Sequence, residues 1–125
     1  MPPRQDDPTI RDDELLWRRI LPEWVHVNPD GSTRPSSVAF IDRRSGEVSV
    51  HRAELTDLDL VRAVRPTDSV VEVTAGFVRS LGCIIAADPK PEDPSHALIC
   101  PSPSKAIARK LAEHARWIIQ PPSGS

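Results

Sequence analysis

The residues that could do chemistry begin with a polar set inside one stretch, RPSSVAFIDRRSGEVSVHRAE, from Arg34 to Glu54. It contributes Arg34, Ser36, Ser37, His51 and Glu54. A guanidinium is a planar fork that matches carboxylate or phosphate, and serine hydroxyls add hydrogen bonds. Together they could line a pocket for an anion or a polar ligand. The plainer alternative is a strand entrance whose serines cap loose backbone groups and whose charges are solvated.

Arg18 and Arg19 follow Trp17. On a strand they point to opposite faces, so one could meet an aromatic ring or an anion while the other forms an ordinary ion pair. His96 and Cys100 lie on another strand-like run. A neighbouring imidazole can activate a thiol, but residues four apart on a strand are separated by ~13 Å, too far for a hydrogen bond. Buried, inert thiols are the expectation for Cys83 and Cys100. The chain has 2 cysteines and 4 histidines but no CxxC or HxxxH spacing, so the sequence calls for no metal. No Walker-type loop, GxGxxG, HExxH or GxSxG occurs either, and no cofactor is expected. His96 also draws notice alone, because it starts a strand just after a proline-rich loop that could hold it rigidly.

These residues need elements to position them. Val38-Ala39-Phe40-Ile41 and Val48-Ser49-Val50-His51 flank a charged segment containing Ser45-Gly46, which predicts a β-hairpin. Leu16 to Ile20 reads as a first strand, or as a helix opened by Asp12-Asp13-Glu14. Trp24 to Val27 is strand-like, and Asn28-Pro29-Asp30-Gly31 is a turn. A capping pattern at Thr56 to Asp59 predicts a short helix with Leu58, Val61 and Val64 inward. Ser69 to Glu72 offers a second capping box. Val70, Val73, Phe77, Val78 and Leu81 then recur as one helix face does, with Gly82 at the C-terminal cap. Cys83 to Ala87 reads as a central strand and His96 to Cys100 as another. Ser104 can cap a last helix running to Ile119, with Ile107, Leu111, Ala115 and Ile118 inward. Its basic outer side reads as a solvated face.

The chain has 125 residues, a formal net charge of -2, 38% hydrophobic and 27% charged residues. That suits one modest core and argues against a general nucleic-acid binder, which carries a basic excess. The 14 prolines cluster near both ends and around positions 89–103. No apolar run approaches the roughly 18 residues of a membrane span, and no apolar leader is present, so the expected place is the cytoplasm. The predicted organisation is a disordered leader at 1–10, a domain at 11–120 and a disordered tail at 121–125. The expected fold is α+β: a short, mostly antiparallel sheet with two main helices packed on it.

The segments LWRRI-x-P-x-W at 16–24, RPSS-x-AF at 34–40, VSV at 48–50 and P-x-HA at 94–97 resemble a set of small uncharacterised bacterial proteins. The resemblance implies a bacterial, cytoplasmic, stand-alone domain and carries no activity. Pro101-Ser102-Pro103 departs from the Gly/Lys-rich turn of that group. A second likeness is to ADP-ribosyltransferase-like domains of the RES type, which use an arginine on a first strand, serines on a following strand and a later acid. The matching positions would be Arg18 or Arg19, Ser36 or Ser37, and Glu54. The leading expectation is a partner- or ligand-binding accessory domain without catalytic activity, its partner another protein encoded nearby. The binding surface would join Arg34, Ser36, Ser37 and His51 to His96. The alternative is an NAD-dependent transferase, which needs Arg19, Ser36 and Glu54 to meet in one pocket.

Overall fold

Alternation along Leu15-Leu16-Trp17-Arg18-Arg19-Ile20 decides the first element. Leu16 and Ile20 are fully buried, whereas Trp17 and Arg19 are half-buried on the other face. That is the period of a strand. The computed structural model describes residues 4–122, and in it this stretch is β1 (Leu15–Ile20). A small hairpin follows, β2 (Val25–Val27) with β3 (Thr33–Pro35). Its turn is the predicted Asn28–Gly31, and Gly31 supplies the positive φ of 89°.

The predicted 38–51 hairpin is corrected. Its second arm is a strand, β4 (Val48–Arg52), but its first arm, Ser37–Phe40, is a 3-10 turn. Ser36 caps that turn, accepting the Val38 N–H at 3.4 Å. The turn drives Ala39 and Phe40 into the core. An apolar run buried through two adjacent residues serves a tight turn as readily as a strand.

The capping residue of the next helix is Asp57, whose Oδ1 accepts from Leu60 N at 2.9 Å. The helix, α1 (Leu58–Arg62), buries Val61 and leaves Val64 exposed, so the inward position expected for Val64 is corrected. The long helix predicted from Ser69 is also corrected. It divides into β5 (Ser69–Thr74) and α2 (Ala75–Ser80). Val70, Val71 and Val73 are buried on both faces of a strand lying between two neighbours, and β-branched residues suit that place. Thr74 then caps α2 by accepting from Phe77 N at 3.2 Å, and Gly82 ends it at φ 90°.

Two strands complete the second half, β6 (Ile84–Ala87) and β7 (His96–Cys100). Ser104 caps α3 (Lys105–His114) as expected, but the helix stops there. Arg116–Ile119 is β8, paired with β5, so Ile118 is a strand residue.

Six of the strands form one antiparallel sheet in the order β6-β7-β4-β1-β5-β8, and β2 and β3 form a separate pair. The fold is α+β with a mostly antiparallel sheet. The expected central position of β6 is corrected, since it is an edge. Its outward groups are taken by the chain's own start: Asp7 N–H donates to Ile85 O at 2.8 Å, and Ile85 N–H to Asp6 Oδ1 at 3.0 Å. Arg79 holds the same segment through Asp6, Asp12 and the Asp7 carbonyl, and Ile10 is buried. Residues 4–10 are therefore packed structure where a disordered leader was expected. Residues 1–3 and 123–125, the rest of that leader and the end of the expected tail, lie outside the described residues. At the other side of the sheet, β8 has no strand beyond it among the described residues.

One sheet face carries the main core: Leu16, Ile20, Val48, Val50, Val71, Val73, Ile85 and Ile99 pack with Phe40, Val78 and Leu111. Arg18 points into this face. Its Nε donates to Ala39 O at 2.9 Å and its Nη1 to Ser49 O at 2.8 Å, and its guanidinium lies 5.3 Å from the Trp24 ring. Burial pushes it down to about 10, with Arg19 adding to the shift and Asp42 opposing it. It remains a cation at neutral pH, clasping the 3-10 turn to β4.

Candidate functional site

The opposite sheet face is built from the alternate residues: Trp17 and Arg19 on β1, Ser49 and His51 on β4, His96 and Leu98 on β7, and Glu72 on β5. Antiparallel pairing sets His51 directly against His96. Their rings lie 6.3 Å apart at 75°.

Each ring has its own aspartate. His96 Nδ1 faces Asp88 Oδ2 at 2.9 Å and the Asp88 carbonyl at 3.2 Å. Both are acceptors, so Nδ1 carries the hydrogen and Nε2 of the neutral ring is left as an acceptor. That Nε2 meets Ser49 Oγ at 3.2 Å. His51 Nδ1 lies 3.1 Å from Ser95 Oγ and 3.2 Å from Asp93 Oδ2. Ser95 spends its own hydrogen on Asp93 Oδ1, at 2.6 Å, so it can only accept from His51. His51 is therefore also protonated at Nδ1, and among the described residues its Nε2 has no hydrogen-bond partner.

The electrostatics follow from burial. Burial pushes the His51 pKa down; Asp93 opposes this, and the fields of Arg19 and His96 add to it. Burial alone would raise Asp93. Hydrogen bonds from Ser95 and the field of His51 outweigh it and hold the carboxyl below the usual range. Glu72 is the other acid of this face. It accepts from Trp17 Nε1 at 3.2 Å and Arg116 Nη2 at 2.6 Å.

Arg19 completes the face. Its Nη1 stands 3.7 Å from Asp68 Oδ2, and Arg65 Nε stands 3.6 Å from the other oxygen. Asp68 is fully buried, and neither oxygen accepts a hydrogen bond. Among the described residues the Arg19 guanidinium makes no hydrogen bond, so its donors are uncommitted.

The structure thus brings Arg19, His51 and His96 onto one face and leaves the other predicted residues elsewhere. Arg34 is on β3, where Nη1 reaches only the neighbouring Pro35 carbonyl at 3.4 Å. Ser36 caps the 3-10 turn on the core side. Ser37 borders a depression of about 400 Å³ with Val38, Ile41, Arg43 and Lys105. Glu54 lies past the far end of β4, bonded to Arg11 at 3.1 Å and near Arg52 at 3.8 Å. The proposed joining of Arg34, Ser36 and Ser37 to the histidines is therefore corrected: RPSS and PSHA open onto different faces. Arg19, Ser36 and Glu54 likewise do not meet in one pocket. Arg19 is opposite Val70 at one end of β1, whereas the Glu54 end of β4 lies beside Leu16 at the other.

Cys100 shares the face side of β7 with His96 but turns to Glu47 Oε2 at 3.4 Å. Burial, then Glu47, pushes its thiol up to about 11, and burial raises Cys83 as well. Neither is a thiolate at neutral pH. Among the described residues no group of acids, histidines and cysteines has the arrangement to hold a metal, and no helix is long and apolar enough to cross a membrane.

Sequence reasoning missed Ser49, Asp88, Asp93 and Ser95. The signal for two of them was present: Asp93-Pro94-Ser95 is a side-chain turn motif, with Ser95 N–H and Oγ both on Asp93 Oδ1. A groove of about 850 Å³ lies elsewhere, between the β2–β3 hairpin and β8. Val25, Val27, Thr33, Ser69 and Trp117 line it. The polar residues Arg19, Ser49, His51 and His96 sit on the other sheet face instead.

No protein-family model, no curated protein and no solved structure matches this chain.

Proposed function

We propose that this domain binds a partner protein through the Arg19–Ser49–His51–His96 face, and that the partner presents an anionic group together with an N–H or O–H donor. The observation that carries the reading is Arg19: a half-buried guanidinium that stands 3.7 Å from buried Asp68 but makes no hydrogen bond among the described residues. It lies on the same face as the His51 Nε2 lone pair. A guanidinium takes a carboxylate or phosphate in two parallel hydrogen bonds, and the imidazole nitrogen accepts from a neighbouring donor. The Arg19 side chain is 34% exposed, against 16% for His51 and 12% for His96, so of these three it is the group a partner would reach first. The bacterial resemblance is the support for a cytoplasmic, accessory role beside a protein encoded nearby.

The test is a comparison of two charge reversals. Arg19→Glu abolishes recovery of the partner from the source organism, whereas Arg34→Glu, on another surface, leaves it unchanged. In parallel, titration of labelled protein with N-acetylaspartate shifts the resonances of Arg19, His51 and Ser49. Equal loss from both reversals, or shifts confined to the β2–β3 hairpin, would overturn the reading.

A further inference from the structure

The Asp88–His96–Ser49 chain has a direction. Asp88 takes the Nδ1 hydrogen at 2.9 Å, which fixes the tautomer, and the Nε2 lone pair is left facing Ser49 Oγ at 3.2 Å. A serine whose hydroxyl points at a neutral imidazole, itself oriented by a carboxylate, is the arrangement that activates an alcohol for attack on an acyl carbon. The supports are rigid. His96 and Ser49 lie on neighbouring central strands, β7 and β4, with Ser49 in register with Leu98. The Ser49 carbonyl is clamped by the buried Arg18. The Asp88 loop is closed onto β7 by Asp88 N–H to His96 O at 2.9 Å. Ser49 is half-buried, so the residue keeps some exposure to solvent. Ser95 differs. It is fully buried and spends its hydrogen on Asp93.

We infer that Ser49 is a nucleophile toward activated carboxylic esters, with His96 as its general base and Asp88 as the residue that positions the base. As Oγ bonds to the acyl carbon, its proton passes to His96 Nε2 and the carbonyl electron pair moves onto oxygen. Arg19, on the same face and two residues along β1 from Trp17, which pairs with His51, is the cation available to that charge. Collapse breaks the bond to the leaving alkoxide, which takes the proton from His96. The product is acyl-Ser49, and water completes the cycle by the same route in reverse. Asp88 holds the ring in place throughout. This activity is independent of the partner reading, since a small ester reaches Ser49 without Arg19 engaging a protein.

The test uses the whole chain with a fluorophosphonate probe and with p-nitrophenyl acetate. The fluorophosphonate forms the Oγ–P bond, expels fluoride and leaves the serine proton on His96. Peptide mapping is expected to place the adduct on Ser49, with Ser37 unlabelled. His96→Gln keeps a hydrogen bond to Ser49 but removes the base, and slows labelling and ester turnover by about a hundredfold. Asp88→Asn slows both as well. It also carries a readout that loss of structure would not give: the ring ¹⁵N shifts of His96 change from a single Nδ1–H tautomer to a mixture while the amide spectrum stays folded. No adduct on folded protein, or an adduct formed equally fast in His96→Gln, overturns the inference. Should His96→Gln fail to fold, unchanged labelling in Asp88→Asn overturns it equally.

Discussion

His51 and His96 stand opposite one another across β4 and β7, and each holds its Nδ1 hydrogen toward a different aspartate, Asp93 and Asp88. Both rings therefore turn their Nε2 atoms away from negative charge. One meets Ser49, and the other has no hydrogen-bond partner among the described residues. The pair is a consequence of the ladder: antiparallel register fixes which residues of the two strands share a position.

That arrangement makes stability depend on pH through His51. Burial holds its folded pKa below the ordinary histidine value of about 6.5. The folded ring then binds a proton more weakly than the unfolded one. Stability is fully present above about 6.5 and is lost as pH falls toward the lower folded value. The groups facing the ring are Asp93, Ser95, Arg19 and His96. One proton sets the ceiling on the slope at about 1.4 kcal/mol per pH unit. Urea midpoints between pH 7 and 5 should fall less steeply in His51→Gln than in the native chain.

Arg18→Met should destabilise the fold by about 2 kcal/mol. The buried guanidinium serves the Ala39 and Ser49 carbonyls, and each carbonyl left unmet costs about 1–3 kcal/mol. Relief of the buried charge offsets part of that. Arg18→Lys should recover little, because an ammonium has no fork to span both carbonyls. Chemical denaturation of the three proteins checks the ordering.

Arg52→Met should cost more, about 3 kcal/mol at neutral pH. Arg52 meets the buried Glu14 at 2.9 and 3.0 Å, and the second Glu14 oxygen has no hydrogen bond. Burial already holds the Glu14 carboxyl above its ordinary value, with the Arg52 hydrogen bond pulling the other way. A carboxyl with a raised folded pKa takes up its proton more readily in the folded chain, so protonation favours folding. The penalty of Arg52→Met should therefore shrink as pH falls through that raised value, and thermal melts across pH 7 to 4 would reveal it.

Arg79→Met should loosen the chain's start while sparing the sheet. Arg79 binds Asp6 at 3.0 Å, Asp12 at 2.7 Å and the Asp7 carbonyl at 2.9 Å. Asp12 is largely exposed, so that bond counts for little. The expected cost is about 1–2 kcal/mol. Hydrogen exchange should quicken at Asp7 and Ile85 and stay slow at Val71 and Ile99.

How much of this was legible in the residues depends on what decides each element. His96–Cys100 reads as a strand because the run is short, apolar and bounded by prolines, and it is one. Ser104, Gly82 and Asn28–Gly31 work as local devices, and local devices survive folding. Val70 to Leu81 misleads because buried valines on both faces of a strand also produce spacings of three and four. The 34–54 stretch misleads for a related reason: Ser36 caps a turn that only the burial of Phe40 makes worthwhile. Arg19, His51 and His96 are separated by tens of positions, and only strand order unites them. Ser49 gave no signal by itself, since a polar residue alternating with valines is what any half-exposed strand carries.

The two margins of the sheet are unequal. Ile85 on β6 has both outward backbone groups satisfied by Asp6 and Asp7, and β8 has no neighbour beyond it among the described residues. An object that can add a strand on one side alone cannot extend indefinitely. Two copies that met through β8 would use up that margin in each, while the Ile85 margin is already held by Asp6 and Asp7.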